Sequence, residues 1–345
     1  MYRPNSIWTW AFVIIAFVQA AIVLSFEGYV FAVFQEGLEP GATTQPQDRT
    51  IPTYLTLFIF GFVYQLVLVW DALRLKNTIQ IIGLCAYNLG LLIYAAVQIN
   101  QIKDSVFNLS HPDSGPEYID PNADIWDKSQ PFLVAVPCII ALGYVLMSIV
   151  AWKLYDEFAW SIYKHISADL RMKRRYLTFQ IYIALLKFDF FFFLGFTVQF
   201  VVIVLPSAKD PEFGLTIAAI PVTIVILVLA AYWTRRENTV GMIVIIALYF
   251  AALAYFIFKL VRIYEPGFRQ KYAPAARSLT TFGVITVILI VVTIINACIC
   301  TTNFGKGLKP HVAHRKVNTN DEKVTMTEMP TYAHQGTVPS RMTID

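Results

Sequence analysis

The chain has 345 residues and a formal net charge of +4, and 57% of its residues are hydrophobic while only 14% are charged. A soluble domain is typically about a quarter charged, so this composition excludes an ordinary soluble protein. We expect the lipid bilayer to be the main partner of the chain, and we expect no nucleic-acid partner.

The distribution of apolar residues predicts the fold. A helix that crosses a bilayer needs about 20 mostly apolar residues. Eight segments meet this criterion, at residues 7–34, 54–70, 78–98, 132–152, 176–205, 215–233, 239–260 and 279–301. The sequence therefore predicts an all-α integral membrane protein, a polytopic bundle of about eight transmembrane helices within residues 1–302. Seven spans remain an alternative, because the loop 261–278 is basic although it is assigned to the outside.

Positive charges predict the orientation of the spans, because cytosolic loops of membrane proteins carry an excess of Lys and Arg. With both termini in the cytosol, most Lys and Arg residues lie on the cytosolic side. The acidic loop 99–131 then faces the lumen. It contains Asn108-Leu109-Ser110, which is the only N-glycosylation pattern of the chain. The sequence therefore predicts cytosolic termini and a glycan on Asn108.

The cytosolic loop 153–175 has the pattern of an amphipathic helix. Phe158, Ile162, Ile166 and Leu170 recur every four residues, which predicts a helix that lies on the membrane face. The loop ends in a basic membrane-surface patch that would attract anionic lipid of the cytosolic leaflet, formed by Lys173, Arg174 and Arg175. The alternative is a plain stop-transfer flank with no lipid specificity.

Charged residues near the middle of the fifth span are the main functional candidates. Lys187 and Asp189 are two residues apart and therefore face opposite sides of their helix. Charges at this depth are costly and usually mark a functional interior. We expect Glu27 in the first span to pair with Lys187, and Asn88 and Gln65 to bond with either charge. Two interpretations stay open, a substrate or ion site and a structural ion-pair network.

The four cysteines do not suggest a disulfide framework. Cys85 and Cys138 lie in spans and are expected to be packing residues. Cys298 and Cys300 lie at the cytosolic end of the last span and are candidates for palmitoylation, with unmodified buried thiols as the alternative. The segment 303–345 that follows is polar and of mixed charge, which predicts a disordered cytosolic tail.

Sequence motifs of enzymes are missing from the chain. All histidines fall in predicted loops or in the tail, so we expect no metal site within the spans. There is no Gly-x-Ser-x-Gly motif, no P-loop and no glycine-rich dinucleotide motif. We therefore expect a protein that is not an enzyme and that needs no cofactor.

Three blocks of sequence resemble an uncharacterised family of fungal Golgi apparatus membrane proteins. These blocks are YDEFAWSIYK at 155–164, ADL at 168–170 and the phenylalanine-rich KFDFFFFLGFTVQ at 187–199. The resemblance implies a multi-pass protein of the Golgi membrane and a fungal source. It implies no catalytic or ligand-binding residues and no molecular mechanism.

Two functional hypotheses follow. The first is a Golgi membrane protein with a structural, trafficking or receptor-like role, whose tail and basic patch face unidentified cytosolic protein partners. The second is a transporter or channel that uses the intramembrane charges. A seven-span receptor would need an outside amino terminus, which the distribution of Lys and Arg disfavours.

Overall fold

The computed structural model describes residues 6–37, 50–110, 124–165, 170–204, 211–266, 272 and 275–306. Its long helices are α1 (Ile7–Glu36), α2 (Thr50–Arg74), α3 (Thr78–Ser110), α4 (Ile125–His165), α5 (Leu170–Gln199), α6 (Pro211–Arg236), α7 (Thr239–Tyr264) and α8 (Ala276–Thr302), with a short π-helix at Phe200–Val204. Eight helices in this part of the chain are long and apolar enough to cross a membrane. The prediction of an all-α, multi-pass fold is confirmed.

Several helices extend beyond the apolar runs that predicted them. α3 continues to Ser110 and α4 begins at Ile125, so both ends of the predicted loop 99–131 are helical. A helix of 33 residues such as α3 is about 50 Å long, whereas the hydrocarbon core of a bilayer is about 30 Å thick. Polar residues near the ends of a span can stay helical because backbone hydrogen bonds, and not apolarity, sustain the helix.

The predicted amphipathic helix is not a separate element. α4 is one helix of 41 residues, so residues 153–165 form its last turns and the prediction of a distinct surface helix is wrong. No glycine or proline between Trp152 and His165 interrupts the helix. Leu154 and Phe158 are buried, and the Oγ of Ser6 donates a hydrogen bond of 2.7 Å to Glu157. This segment is therefore an extension of a span that packs beside the start of α1.

The bundle consists of two groups of helices. α1 to α4 pack on one another, α5 packs on α6 and α8, α7 packs on α6 and α8, and α3 joins the two groups by contacts with α5 and α8. Only 11% of the apolar window of α6 is buried, whereas the figure for α3 and α5 is 56%. α6 is thus a peripheral helix, and α3 and α5 form the centre of the bundle.

Phenylalanines of α5 fit against glycines of α2 and α3. A Cβ atom on Gly83 would lie 2.4 Å from the Phe188 ring, and one on Gly90 would lie 3.0 Å from Phe192. Gly195, which lies in the same run of α5, faces Phe282 of α8 just as closely, at 2.4 Å. Small residues at such positions let helices approach in a membrane. The phenylalanine-rich run is therefore the packing seam between the two groups of helices.

The same contacts show that α3 and α5 are parallel and staggered. Gly83 meets Phe188 and Gly90 meets Phe192, so residue numbers rise together along both helices. Since Gly83 lies close to the start of α3, the first part of α5 extends past the α2–α3 turn by roughly 20 Å. Lys187, next to Phe188, is therefore at the level of that turn.

Candidate functional site

The five polar residues singled out in the spans do not form a single cluster. Asn88 and Gln65 share the partner Met147, whereas Glu27, Lys187 and Asp189 each bond to a separate set of side chains. The residues are Glu27, Gln65, Asn88, Lys187 and Asp189.

Lys187 forms an ion pair with Asp71 at the end of α2. Its Nζ also donates a hydrogen bond of 2.8 Å to Oε1 of Gln80 at the start of α3. The Nε2 of Gln80 in turn donates to Oδ2 of Asp71, at 3.0 Å. The side chains of Lys187 and Asp71 are 25% and 37% exposed, so this triad lies at the edge of the bundle. The expected pair of Lys187 with Glu27 is wrong, because α2 extends far enough to place Asp71 within reach.

Asp189 reaches a different helix from Lys187. Thr293 of α8 donates a hydrogen bond of 2.7 Å to Oδ2 of Asp189. The other carboxylate oxygen, Oδ1, is buried and has no hydrogen-bond partner among the described residues. The expectation that Lys187 and Asp189 face opposite sides of α5 is confirmed. Asp189 links α5 to α8, and Lys187 links α5 to the α2–α3 turn.

Glu27 lies against α3 and is only 3% exposed. Gln98 donates from Nε2 to both carboxylate oxygens of Glu27, at 3.1 and 3.4 Å. Tyr94, Gln98 and Gln101 are spaced four and three residues apart, so they lie on one face of α3. All three are buried. We refer to these three residues as the α3 polar stripe.

The α3 polar stripe also contacts the second group of helices. Gln199, at the end of α5, donates to the Tyr94 hydroxyl at 3.4 Å. Gln101 donates to the Ser278 hydroxyl of α8 at 3.5 Å, and Ser278 lies 3.4 Å from the Tyr54 hydroxyl of α2. Side chains from α1, α2, α5 and α8 thus converge on α3. Apart from Glu27, the sequence analysis missed this group, although the spacing of 94, 98 and 101 in an apolar helix was a usable signal.

Asn88 and Gln65 lie in a fourth contact region, within the first group of helices. Gln19 of α1 and Asn88 of α3 exchange two amide hydrogen bonds of 2.9 and 3.1 Å. The amides of Asn88 and Gln65 both point at the Met147 sulfur, at 3.3 and 3.6 Å. Neither residue bonds to Lys187 or Asp189, so that expectation is wrong. The region is a neutral polar contact between α1, α2, α3 and α4.

The remaining predicted sites lie near the ends of helices. Cys300 is buried, whereas Cys298 is exposed. Arg174 is exposed, and Arg175 donates a hydrogen bond of 2.7 Å to the backbone carbonyl of Lys306, just after α8. Lys173 is half-buried. Palmitoylation and binding of anionic lipid stay predictions.

Two predictions fall largely outside the described structure. Asn108 belongs to the last turn of α3, but its side chain is not described, so its glycosylation stays a prediction. The tail lies outside the described residues from 307 onward. Among the residues that the structure describes, no group of three or more His, Cys, Asp or Glu side chains is placed to hold a metal ion.

Comparison with known proteins gives one informative match. The chain is 34% identical over 322 residues to a UPF0658 Golgi apparatus membrane protein of Schizosaccharomyces pombe, and the match covers 87% of this chain and 88% of that protein. No protein-family model matches the chain, and no solved structure matches it. The similarity extends over nearly the full length of both proteins and agrees with the multi-pass helical fold. The chain therefore belongs to the UPF0658 family of Golgi apparatus membrane proteins.

Proposed function

We propose that this protein has a structural, trafficking or receptor-like role in the Golgi membrane, that it is not an enzyme, and that the charges of Lys187 and Asp189 hold helices together. The observation that carries the proposal is the separation of the polar residues into distinct helix contacts. A transport path needs its polar groups along one continuous route. Lys187 and Asp189 point to different helices, and Glu27 bonds to neither.

The Lys187 triad has the properties of a structural link. Lys187 bonds simultaneously to the last turn of α2 and the first turn of α3, so it fixes α5 against both helices of that hairpin. Gln80 bonds to both charged groups. A charge pair whose members are also hydrogen-bonded is tolerated in an apolar environment far better than either charge alone.

The proposal includes an orientation with both termini in the cytosol. The distribution of Lys and Arg supports it, as does the grouping of basic residues at one end of the bundle. There the start of α5 meets the end of α8 through Arg175, and Glu237, beside Arg235 and Arg236 in the α6–α7 turn, accepts a hydrogen bond from Gly305. This end would face anionic lipid and cytosolic proteins.

The orientation can be tested with a C-terminal tag and with the candidate glycosylation site at Asn108. A protease added to intact Golgi vesicles should remove a C-terminal tag, and Asn108→Gln should abolish any shift in electrophoretic mobility on treatment with glycosidase. A C-terminal tag that is protected until the membrane is opened would contradict the proposed orientation.

The role of the charges can be tested by a charge swap in cells that lack the native protein. Lys187→Asp and Asp71→Lys should each lower abundance and retain the protein in the endoplasmic reticulum. The double swap should restore abundance and Golgi location, because the Gln80 amide can rotate to serve the reversed pair. The matched control is a swap of Asp104 and Arg277, an exposed pair at 3.1 Å, which should have no effect.

The alternative role, a transporter or channel, predicts a different outcome of the same experiment. The single Lys187 and Asp71 variants would then reach the Golgi at normal abundance and would change the sensitivity of the cells to ions or solutes. That result would overturn the structural role of this pair.

A further inference from the structure

Polar side chains from five helices meet at the α3 polar stripe and are almost completely buried. Their exposed fractions are 4% or less, and the residues are Glu27 of α1, Tyr54 of α2, Tyr94, Gln98 and Gln101 of α3, Gln199 of α5 and Ser278 of α8. The group combines one carboxylate with neutral amide and hydroxyl groups. It is separate from the Lys187 triad and from the Asp189 contact.

Three amide oxygens in this group have no hydrogen-bond partner among the described residues. They are the Oε1 atoms of Gln98, Gln101 and Gln199. In each case the amide nitrogen is used, toward Glu27, Ser278 and Tyr94 respectively. A buried carbonyl oxygen without a partner costs about 1–3 kcal/mol. Three such atoms in one region are available to bind a ligand, an ion or water.

The orientation of Gln98 follows from the chemistry of its partner. A carboxylate can only accept hydrogen bonds, so the amide of Gln98 must present its nitrogen to Glu27 and turn its oxygen away. Gln101 lies one turn further along the same face of α3. Gln98 and Gln101 thus follow one another along the face of α3 that Glu27 contacts, and all three side chains are almost completely buried.

We propose that Glu27, Gln98, Gln101 and Gln199 form a binding site for a single monovalent cation of the size of Na⁺ or K⁺. Hard cations are bound by carboxylate and amide oxygens. The single carboxylate sets the charge of the ligand, because one positive charge leaves the buried site neutral. A divalent ion would leave an excess charge in a low-dielectric interior, which is costly. The site goes beyond the proposed function and does not depend on it.

The proposal can be tested by thermal unfolding of the purified protein in detergent. The melting temperature is measured at constant ionic strength while choline chloride is replaced by NaCl or KCl. A ligand that binds the folded state raises the melting temperature in a saturable way. We expect a saturable rise with Na⁺ or K⁺ relative to choline, and no further rise when Ca²⁺ is added.

Two variants, each of which replaces a buried carboxylate, show where the cation binds. Glu27→Gln keeps the shape of the side chain and removes its charge, and it should weaken cation binding by about 100-fold, the loss typical of removing a buried charged partner. Asp189→Asn makes the same change at the carboxylate bonded to Thr293 and should leave the cation response intact. Gel filtration establishes that both variants are folded.

Every other outcome overturns the proposal. A wild-type protein that melts at the same temperature in choline, Na⁺ and K⁺ has a site filled by water alone. A response to Ca²⁺ only would mean a different ligand. If Asp189→Asn abolishes the cation response while Glu27→Gln retains it, the cation binds beside Asp189 and α8 and not at the proposed site. If Glu27→Gln does not fold, a wild-type melting temperature that is the same in choline, Na⁺ and K⁺ still overturns the proposal.

Discussion

Two regions of the bundle accommodate a charged side chain in opposite ways. At the α2–α3 turn, Lys187 meets an opposite charge on Asp71, and Gln80 bonds to both. At the α3 polar stripe, Glu27 meets only a neutral amide, and three amide oxygens around it have no partner. The first region is complete within the chain and stabilises it, whereas the second is incomplete without a further component. The comparison distinguishes polar groups that serve the fold from polar groups that serve a ligand.

The largest expected loss of stability comes from removing the ion pair at the α2–α3 turn. Asp71→Ala leaves the Lys187 ammonium without its counter-charge and should lower the free energy of unfolding by about 2–3 kcal/mol. This is less than the 3–5 kcal/mol typical of a fully buried pair, because both side chains are partly exposed. Denaturant unfolding in detergent, followed by tryptophan fluorescence, measures it. An effect below that of an ordinary surface mutation would contradict the structural role of the pair.

At the α3 polar stripe, removing a charge is expected to increase the stability of the protein. In buffer whose only cation is choline, Glu27→Gln should raise the free energy of unfolding by about 1–2 kcal/mol, because it removes a buried charge that lacks a counter-charge. The same unfolding assay measures it. Destabilisation by this variant in choline would mean that the region is as complete as the Lys187 triad, and the comparison would fail.

Removing a neutral polar contact should cause a smaller loss of stability than removing the Lys187 ion pair. Asn88→Ala removes two amide hydrogen bonds to Gln19 and should lower the free energy of unfolding by about 1 kcal/mol, within the range measured for polar contacts between membrane helices. The loss should be the same in choline and in Na⁺. A strong dependence on the cation would show that this contact region belongs to the proposed site.

The smallest effect is expected for an exposed ion pair. Asp104 and Arg277 lie 3.1 Å apart, and each side chain is 59% exposed. Asp104→Asn should change the free energy of unfolding by less than about 0.5 kcal/mol, since solvent screens such pairs. High salt should remove even this difference. A larger loss would indicate that the bilayer or a partner covers this end of the bundle.

The fold could be predicted from the sequence because length and apolarity suffice to identify membrane helices. The importance of Gly195 was also predictable, since it stands in a run of bulky phenylalanines. The partner of Lys187 was not predictable from the apolar runs. Asp71 lies one residue past the apolar run of the second span, and only the continuation of α2 to Arg74 brings it into contact.

The rest of the candidate site was missed for a different reason. Gln98 was the last residue of a predicted span and Gln101 lay in a predicted loop, so neither was considered as a candidate site residue. Hydropathy sums over a window and gives little weight to neutral polar residues that share one helix face. Phe158, the first residue of the amphipathic pattern after Trp152, is buried, but a pattern alone cannot say whether a helix is separate or a continuation.

The contact between Tyr54, Gln101 and Ser278 has a consequence for how the protein is made. Ser278 is separated from Tyr54 by 224 residues and from Gln101 by 177. While the ribosome delivers the helices in order, α3 enters the membrane long before α8 exists. The hydroxyl that Gln101 bonds is therefore supplied late, and Gln101 cannot form this hydrogen bond until α8 has been inserted.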